Sequence, residues 1–594
     1  MASDNLTSSI NPPRTMHTAQ AASADIPGVY LDDASKDRNV SNMIETADKP
    51  MENPGASFER SPRFWAIMAT LCVVGLLAAF ENTVVATSLP FIVEELSLGE
   101  NYIWVTNVFF LTSAAIQPLF GQLANIFGRR WLTMAIVAFF LFGSGLAGGA
   151  RNGATIIAGR AIQGIGSGGI NMIIDVVVSD LVPLRQRGNF IAMVLSVYFV
   201  GMAVGPLLGG VIVDHTSWRW VFYLNLPVGG VAMAMIFVFL RVRHDREMPL
   251  IQKMKRIDYI GNLLLISSTV SVLYSLTYGG TKYDWSHWSI IITLVLGLVG
   301  LCVFMAYETT SWAKEPVVPP RLFKNRTSAI IFAVTFLNSA LLYWCLFFLP
   351  VYFQAVLLHS PTRSGVDLIP IIVIAVPTAI RAVLLLTKYG RYKPLHMFGF
   401  AVSTLALGLM TLLDGNTSTA VWVVFTMIAG GGGGWVLNTL LPAAQACLPE
   451  KDQAATTAAW SFTRSFGAIW GVAIPAAIFN SRFTQLSHPI TDPAVRDLLS
   501  HGRAYQYASA SFVKSFDEPI TVLLRGIYSD ALQRVWEIAI VFAGIAFLLS
   551  CFEREIPLRT ELETEYGMEE KKGNRSDNAG GNSSGKAKVE QDSA

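Results

Sequence analysis

The sequence predicts an all-α membrane protein with fourteen transmembrane helices. Three observations carry that reading. Of the 594 residues, 52% are hydrophobic and only 14% charged, whereas an ordinary soluble domain carries about 25% charged residues to cover its surface. Apolar stretches of about 20 residues, the length that crosses a hydrocarbon core as helix, recur fourteen times along the chain. Both ends are polar and low in complexity, with nothing resembling a large soluble domain.

Taken in order, residues 1–62 are rich in Ser, Asp, Asn and Pro without an apolar run, and read as a disordered tail. No cleavable signal peptide is evident, so the first span is expected to start insertion. Spans are expected at 64–92, 103–126, 130–150, 154–180, 189–213, 219–241, 257–279, 287–308, 328–356, 364–387, 395–413, 419–447, 454–479 and 535–552. Residues 557–594 form a second polar tail. An even span count puts both tails on one side. The even-numbered loops carry Arg129, Arg130, Arg185, Arg187, Lys253, Arg256, Arg321, Lys324, Lys388 and Arg391 among others, against mainly Arg151, Arg219, Lys282 and Arg363 on the opposite face. Basic loops stay in the cytoplasm, so both tails are expected there. The last outer loop, 480–534, is long, and its stretch Pro519 to Val535 has apolar residues at helical spacing that suit the outer interface. Asn416-Thr417-Ser418 is a glycosylation sequon in an outer loop. Gly128-Arg129-Arg130 after span two and Gly390-Arg391 after span ten stand eight spans apart, as two six-span repeats separated by two extra spans would place them.

Several functions are disfavoured. The net charge is +2 and no concentrated basic face exists, so nucleic acid is not an expected partner. The five cysteines lie in or at the end of apolar segments, without metal or disulfide spacing. Neither a catalytic cluster nor a phosphate-cradling loop is recognisable, so no cofactor is expected and the chain reads as a non-enzyme.

A few polar residues stand at membrane depth. Glu81 in span one is a buried carboxylate, costly unless paired or protonated. It can exchange a proton as its surroundings change, or serve as a structural ion pair. Arg160 enters span four about 9 Å deep, and Glu81 stands about 15 Å from the same face. Arg160 either reaches Glu81 or snorkels to the outer headgroups. Asp175, near the inner end of span four, is a second proton or cation candidate, or a helix-end carboxylate in water. Arg464 in span thirteen is a cavity charge or a structural pair. Gly201, Gly205, Pro206, Gly209 and Gly210 in span five permit a close helix crossing with a kink.

These residues together resemble the major facilitator superfamily, and within it the fourteen-span drug:proton antiporters of the fungal type. Glu81-Asn82-Thr83 through Leu89-Pro90 is similar to the family's first-span motif. Gly121 through Asn125, Gly128, Arg129 and Arg130 resemble its gating motif, Arg160-x-x-Gln163-Gly164 its proton-transfer motif, and Gly201 to Gly210 its antiporter motif. Trp218-Arg219-Trp220 through Asn225-Leu226-Pro227 also looks typical of this branch. Two departures stand out: Glu81 replaces the first-span Asp, and Asn125 replaces the gating Asp, losing the charge that would pair with Arg129 or Arg130. The resemblance implies a major facilitator fold. Its expected parts are a six-helix bundle at 63–243, two inserted spans at 244–310, and a second bundle at 311–556. It implies a monomer that exchanges protons for amphipathic small molecules by alternating access, in the plasma membrane or the vacuolar membrane. The alternative cargo is a specific polar solute, such as a basic amino acid or a siderophore.

Overall fold

The computed structural model describes residues 61–558 apart from 97, 99–101, 241–248, 280–282, 314, 450–451, 491, 500–503 and 506. The expected tails therefore lie, but for their innermost residues, outside the described residues. The chain from α1 onward is helical. The first group comprises α1 (Pro62–Glu95), α2 (Tyr102–Ala115), α3 (Gln117–Phe127), α4 (Arg129–Gly148), α5 (Gly153–Leu181), α6 (Leu184–His215), α7 (Arg219–Tyr223) and α8 (Asn225–Phe239). A short α9 (Leu250–Lys255) leads into the hairpin of α10 (Tyr259–Tyr278) and α11 (Trp288–Glu308). The second group comprises α12 (Arg326–Val351), α13 (Pro361–Asp367), α14 (Ile369–Tyr389), α15 (Lys393–Met410), α16 (Thr419–Leu437), α17 (Leu440–Ala446), α18 (Gln453–Leu486), α19 (Pro493–Leu499), α20 (Ala510–Val513) and α21 (Glu518–Cys551).

Local chemistry sets the boundaries. Asn152, Asp258 and Asn325 cap α5, α10 and α12 by accepting from backbone N–H groups in the first turn, which supplies acceptors that a helix start lacks. Pro118 in the first turn of α3 follows the break that splits the expected span two into helices of 14 and 11 residues. Gly128, with φ 81° and ψ 165°, joins α3 to α4, and Gly390, with φ 68°, ends α14. Among the described residues these are the only glycines with positive φ, and they are the two positions that the sequence symmetry aligns.

Helices α1 to α8 pack among themselves, chiefly α1 on α6, α4 on α5 and α2 on α5; α12 to α21 do likewise, chiefly α14 on α16, α12 on α18 and α15 on α16 and α21. The α10–α11 hairpin packs on itself and touches α2 and α18. Among the described residues, eleven helices are by length and composition able to cross a membrane. Of the fourteen expected spans, the remaining three are the broken α2–α3 pair, α6, and the 18-residue α15.

The region 480–534 is not one loop. Helix α18 continues to Leu486, and α21 begins at Glu518, so Pro519 to Val535 is the first half of a continuous 34-residue helix and not a segment lying along the interface. The reason is packing. Leu524, Ile527, Tyr528, Leu532 and Val535 are buried, and the Tyr528 ring stands against Phe479 and Phe483 of α18, the latter at 4.9 Å. An inward stripe that finds an aromatic partner helix has no reason to lie in headgroups.

Candidate functional site

A closed polar network occupies the interior of the first group. Glu81 and Arg160 are both fully buried and ion-paired through Oε1 and Nη1. Arg160 turns inward and does not snorkel: its Nε donates to the Val105 carbonyl at 2.9 Å, and Nη1 also donates to Gln163 Oε1 at 2.7 Å. Its guanidinium carbon lies 4.1 Å from the Phe109 ring centroid, a favourable cation–π position. Glu81 Oε2 accepts from Asn225 Nδ2 at 2.6 Å. Ser144 closes the network, accepting from Gln163 at 2.7 Å and from Asn225 at 3.3 Å. An isolated charge at this depth would cost several kcal/mol; here each charge has an opposite charge and added hydrogen bonds.

The antiporter-motif glycines hold α6 against the helix that carries Glu81. A β-carbon on Gly205 would stand 2.0 Å from Thr83 Oγ1, and one on Gly201 would stand 2.9 Å from the Leu76 carbonyl. Gly209 is buried, and Pro206 and Gly210 lie in the same uninterrupted helix.

Asp175 is buried one half of α5 away from that network, with Oδ2 unpartnered. It lies within electrostatic range of Arg464, not of Glu81. Arg464 is half-buried, its guanidinium 4.8 Å from the Trp460 ring centroid. Tyr198 and Tyr343 also feel Arg464, and Tyr198 accepts from Asn82 Nδ2 at 2.6 Å. Asp175, Asn82 and Tyr198 come from one group, Tyr343 and Arg464 from the other. An apolar cavity of about 220 Å³ is lined by Met202 of α6 and by Asn338, Leu341, Ile371, Leu407 and Gly434 among others of the second group.

The gating motif lies at the basic-loop end. Asn125 does not leave Arg129 without a charge partner, as its sequence suggested. Arg129 Nε donates to Asp180 Oδ2 at 2.6 Å and Nη1 to the Ala124 carbonyl at 2.7 Å, while Asn125 Oδ1 accepts at 3.4 Å. Arg130 instead donates to the Phe237 carbonyl. A β-carbon on Gly121 would stand 2.2 Å from that of Ala458 on α18, so this helix touches the second group directly. Around it, Arg187 donates to Gln445 at 2.9 Å and Gln453 at 2.6 Å, Gln445 donates to Ser179 at 2.7 Å, and Gln117 donates to Ser465 at 3.0 Å. Among the described residues, the hydrogen bonds between the two groups gather toward this end, which is sealed.

Asn416 is exposed in the turn Asp414–Thr417. The Thr417 hydroxyl donates to Asp414 at 2.8 Å, and together with the Asn416 backbone N–H it holds the Asp414 carboxyl below its usual range.

Sequence reasoning did not assign Asn225, Ser144, Gln445 or Arg187 to either network. Asn225 stood inside the Trp218–Pro227 stretch, and Gln445 was one of two amides, with Asn438, in an apolar span; their types were visible signals, but their partners were not.

Two helical groups that meet around a polar centre, one of them holding a buried ion pair, define a membrane transport protein. The chain belongs to the Major Facilitator Superfamily, whose family model matches residues 71–472. It is 53% identical over 507 residues to the MFS-type transporter TwmF of Talaromyces wortmannii, covering 85% of this chain and 92% of that protein. It is 45% identical over 511 residues to the MFS-type efflux transporter ffsH of Aspergillus flavipes, covering 86% and 88%. The fold is similar to that of the human organic anion transporter MFSD10 (TETRAN), with a TM-score of 0.53 at 13% identity, covering 83% of this chain and 100% of that one.

Proposed function

We propose that this protein is a proton-coupled exporter of amphipathic small molecules, working by alternating access in the plasma membrane. The observation that carries the coupling is the carboxylate of Glu81, fully buried yet attached to an arginine whose own charge does not titrate. Moving Arg160 and Asn225 away by rearrangement among the helices of the first group favours the protonated acid; restoring them favours the carboxylate. The sealed end bears the basic loops, so the structure corresponds to the state closed toward the cytoplasm. An apolar cavity that also carries Asn338 and Ser403 suits a molecule with one greasy and one polar part. That lining favours such cargo over a basic amino acid or a siderophore. The relative ffsH is named an efflux transporter, which supports the outward direction.

The test has two arms. Metabolites retained by cells with and without the protein are compared to name the cargo. That cargo is then followed in proteoliposomes under an imposed proton gradient. Glu81→Gln is expected to abolish uphill export while keeping cargo binding, because the amide resembles the protonated acid. Undiminished proton-driven export by this variant removes Glu81 from the mechanism.

A further inference from the structure

Asn225 is the first residue of α8, and the preceding Leu224, not Asn225, occupies the cap position. Its side chain is fully buried and donates to Glu81 Oε2 at 2.6 Å. Its own oxygen, Oδ1, is buried with no hydrogen-bond partner. That combination is unusual, because an amide oxygen shut away without a donor costs about 1–3 kcal/mol.

The other groups around Glu81 cannot serve both of its protonation states. Arg160 has donors only. Gln163 has its oxygen on Arg160 and its nitrogen on Ser144. Ser144 accepts from Gln163 and itself donates to the Phe140 carbonyl at 2.9 Å. A carboxylate only accepts, whereas a carboxylic acid must also find an acceptor for its proton. Within the network only Asn225 holds an idle acceptor next to the Glu81 oxygen that is not on Arg160.

We propose that Asn225 is a positioning residue that follows the protonation state of Glu81. With Glu81 ionised, Nδ2 donates to Oε2, as in this structure. When a proton arrives on Oε2, the Asn225 amide turns half a revolution about its last side-chain bond, and Oδ1 accepts that proton's hydrogen bond. One N–H···O bond is exchanged for one O–H···O bond, so Glu81 Oε2 keeps a partner in both states, and the end of the amide left without one changes from Oδ1 to Nδ2. The proposal rests on the reading of Glu81 as the proton-exchanging group, and it adds the residue that makes both of its states tolerable in a dry site.

The experiment follows the proton itself and needs no cargo. The full-length protein, reconstituted in lipid, is titrated by infrared difference spectroscopy, and the carboxylic-acid band of Glu81 is assigned by its loss in Glu81→Gln. Asn225→Leu keeps the volume and removes both hydrogen-bonding ends. Because a hydrogen bond to a charged group is the stronger one lost, the titration midpoint is expected to move up by about one pH unit. The acid band is expected to move to the frequency of a weakly bonded carboxyl. Asn225→Asp, which can donate and accept, is expected to retain a hydrogen-bonded Glu81 band. Where Asn225→Leu does not accumulate, Asn225→Val, which also lacks both hydrogen-bonding ends, is read by the same two observables. A Glu81 band with unchanged midpoint and frequency in the folded variant overturns the role of Asn225 while leaving Glu81 in place. Absence of any titrating band that Glu81→Gln removes overturns the reading of Glu81 itself.

Discussion

The loop after α3 and the loop after α14 each turn on a positive-φ glycine but differ in the turn's ψ and in how they are locked. Each turns at a glycine with positive φ, Gly128 at 81° and Gly390 at 68°, and each is followed by an arginine. In the first loop Arg129 is buried, bonded to Asp180 across to α5, and the preceding helix α3 presses on α18 of the other group. In the second, Arg391 is exposed and the neighbouring Tyr392 is buried instead. The Tyr392 hydroxyl donates to the Arg554 carbonyl at 2.6 Å, its backbone N–H donates to Glu555 at 2.9 Å, and one turn on His396 meets Glu553 at 2.8 Å. The repeat thus keeps a positive-φ glycine and changes its ψ and the fastening: an ion pair between α4 and α5 in one half, a tie to the chain after α21 in the other. Only the first fastening lies where opening of the sealed end would disturb it.

That contrast can be broken in graded steps. The largest effect is expected from Asp180→Asn, which leaves a buried guanidinium without its counter-charge at a cost of about 3–5 kcal/mol. Export in proteoliposomes should fall at least about tenfold, and Asp180→Glu should restore part of it; full export by Asp180→Asn would show that Arg129 needs no acid. Next comes Gly128→Ala. Its φ and ψ lie in a region open essentially to glycine alone, with a strain of about 1–3 kcal/mol, so thermal unfolding and export should both suffer. Gly390→Ala should cost less, about 1–2 kcal/mol, since its left-handed conformation is milder and no atom lies within 4 Å of an added β-carbon. Unfolding temperature is the measurement, and a larger loss than in Gly128→Ala would reverse the comparison. Arg391→Ala should change neither stability nor export beyond about twofold, because an exposed arginine contributes little.

Much of the architecture was legible. The helical class, the central hairpin and the matched glycine turns were all written in hydropathy, loop charge and two short motifs. The pairing of Glu81 with Arg160 followed from depth, since two opposite charges in a membrane seek each other. The partner of Arg129 was not legible. The substitution at Asn125 suggested a missing charge, and Asp180, fifty-one residues later, supplies it. The outer segment 519–535 misled because an amphipathic stripe looks alike whether it faces headgroups or a row of aromatic side chains.

By itself the sequence determined that this chain is a helical membrane protein, which loops share a side, and which polar residues stand too deep to be idle. These are properties of one helix at a time, decided by the transfer of side chains between water and hydrocarbon. Tertiary structure alone decided which helix faces meet. It joined Asn225 to Glu81 across 144 residues of chain and Gln445 to Ser179 across 266, and it sealed one end. The physical reason is that lipid and a neighbouring helix are equally apolar. A spanning helix therefore need not carry a hydrophobic stripe to mark its inner face, and the facing is set by close packing of small residues and by buried polar groups finding partners.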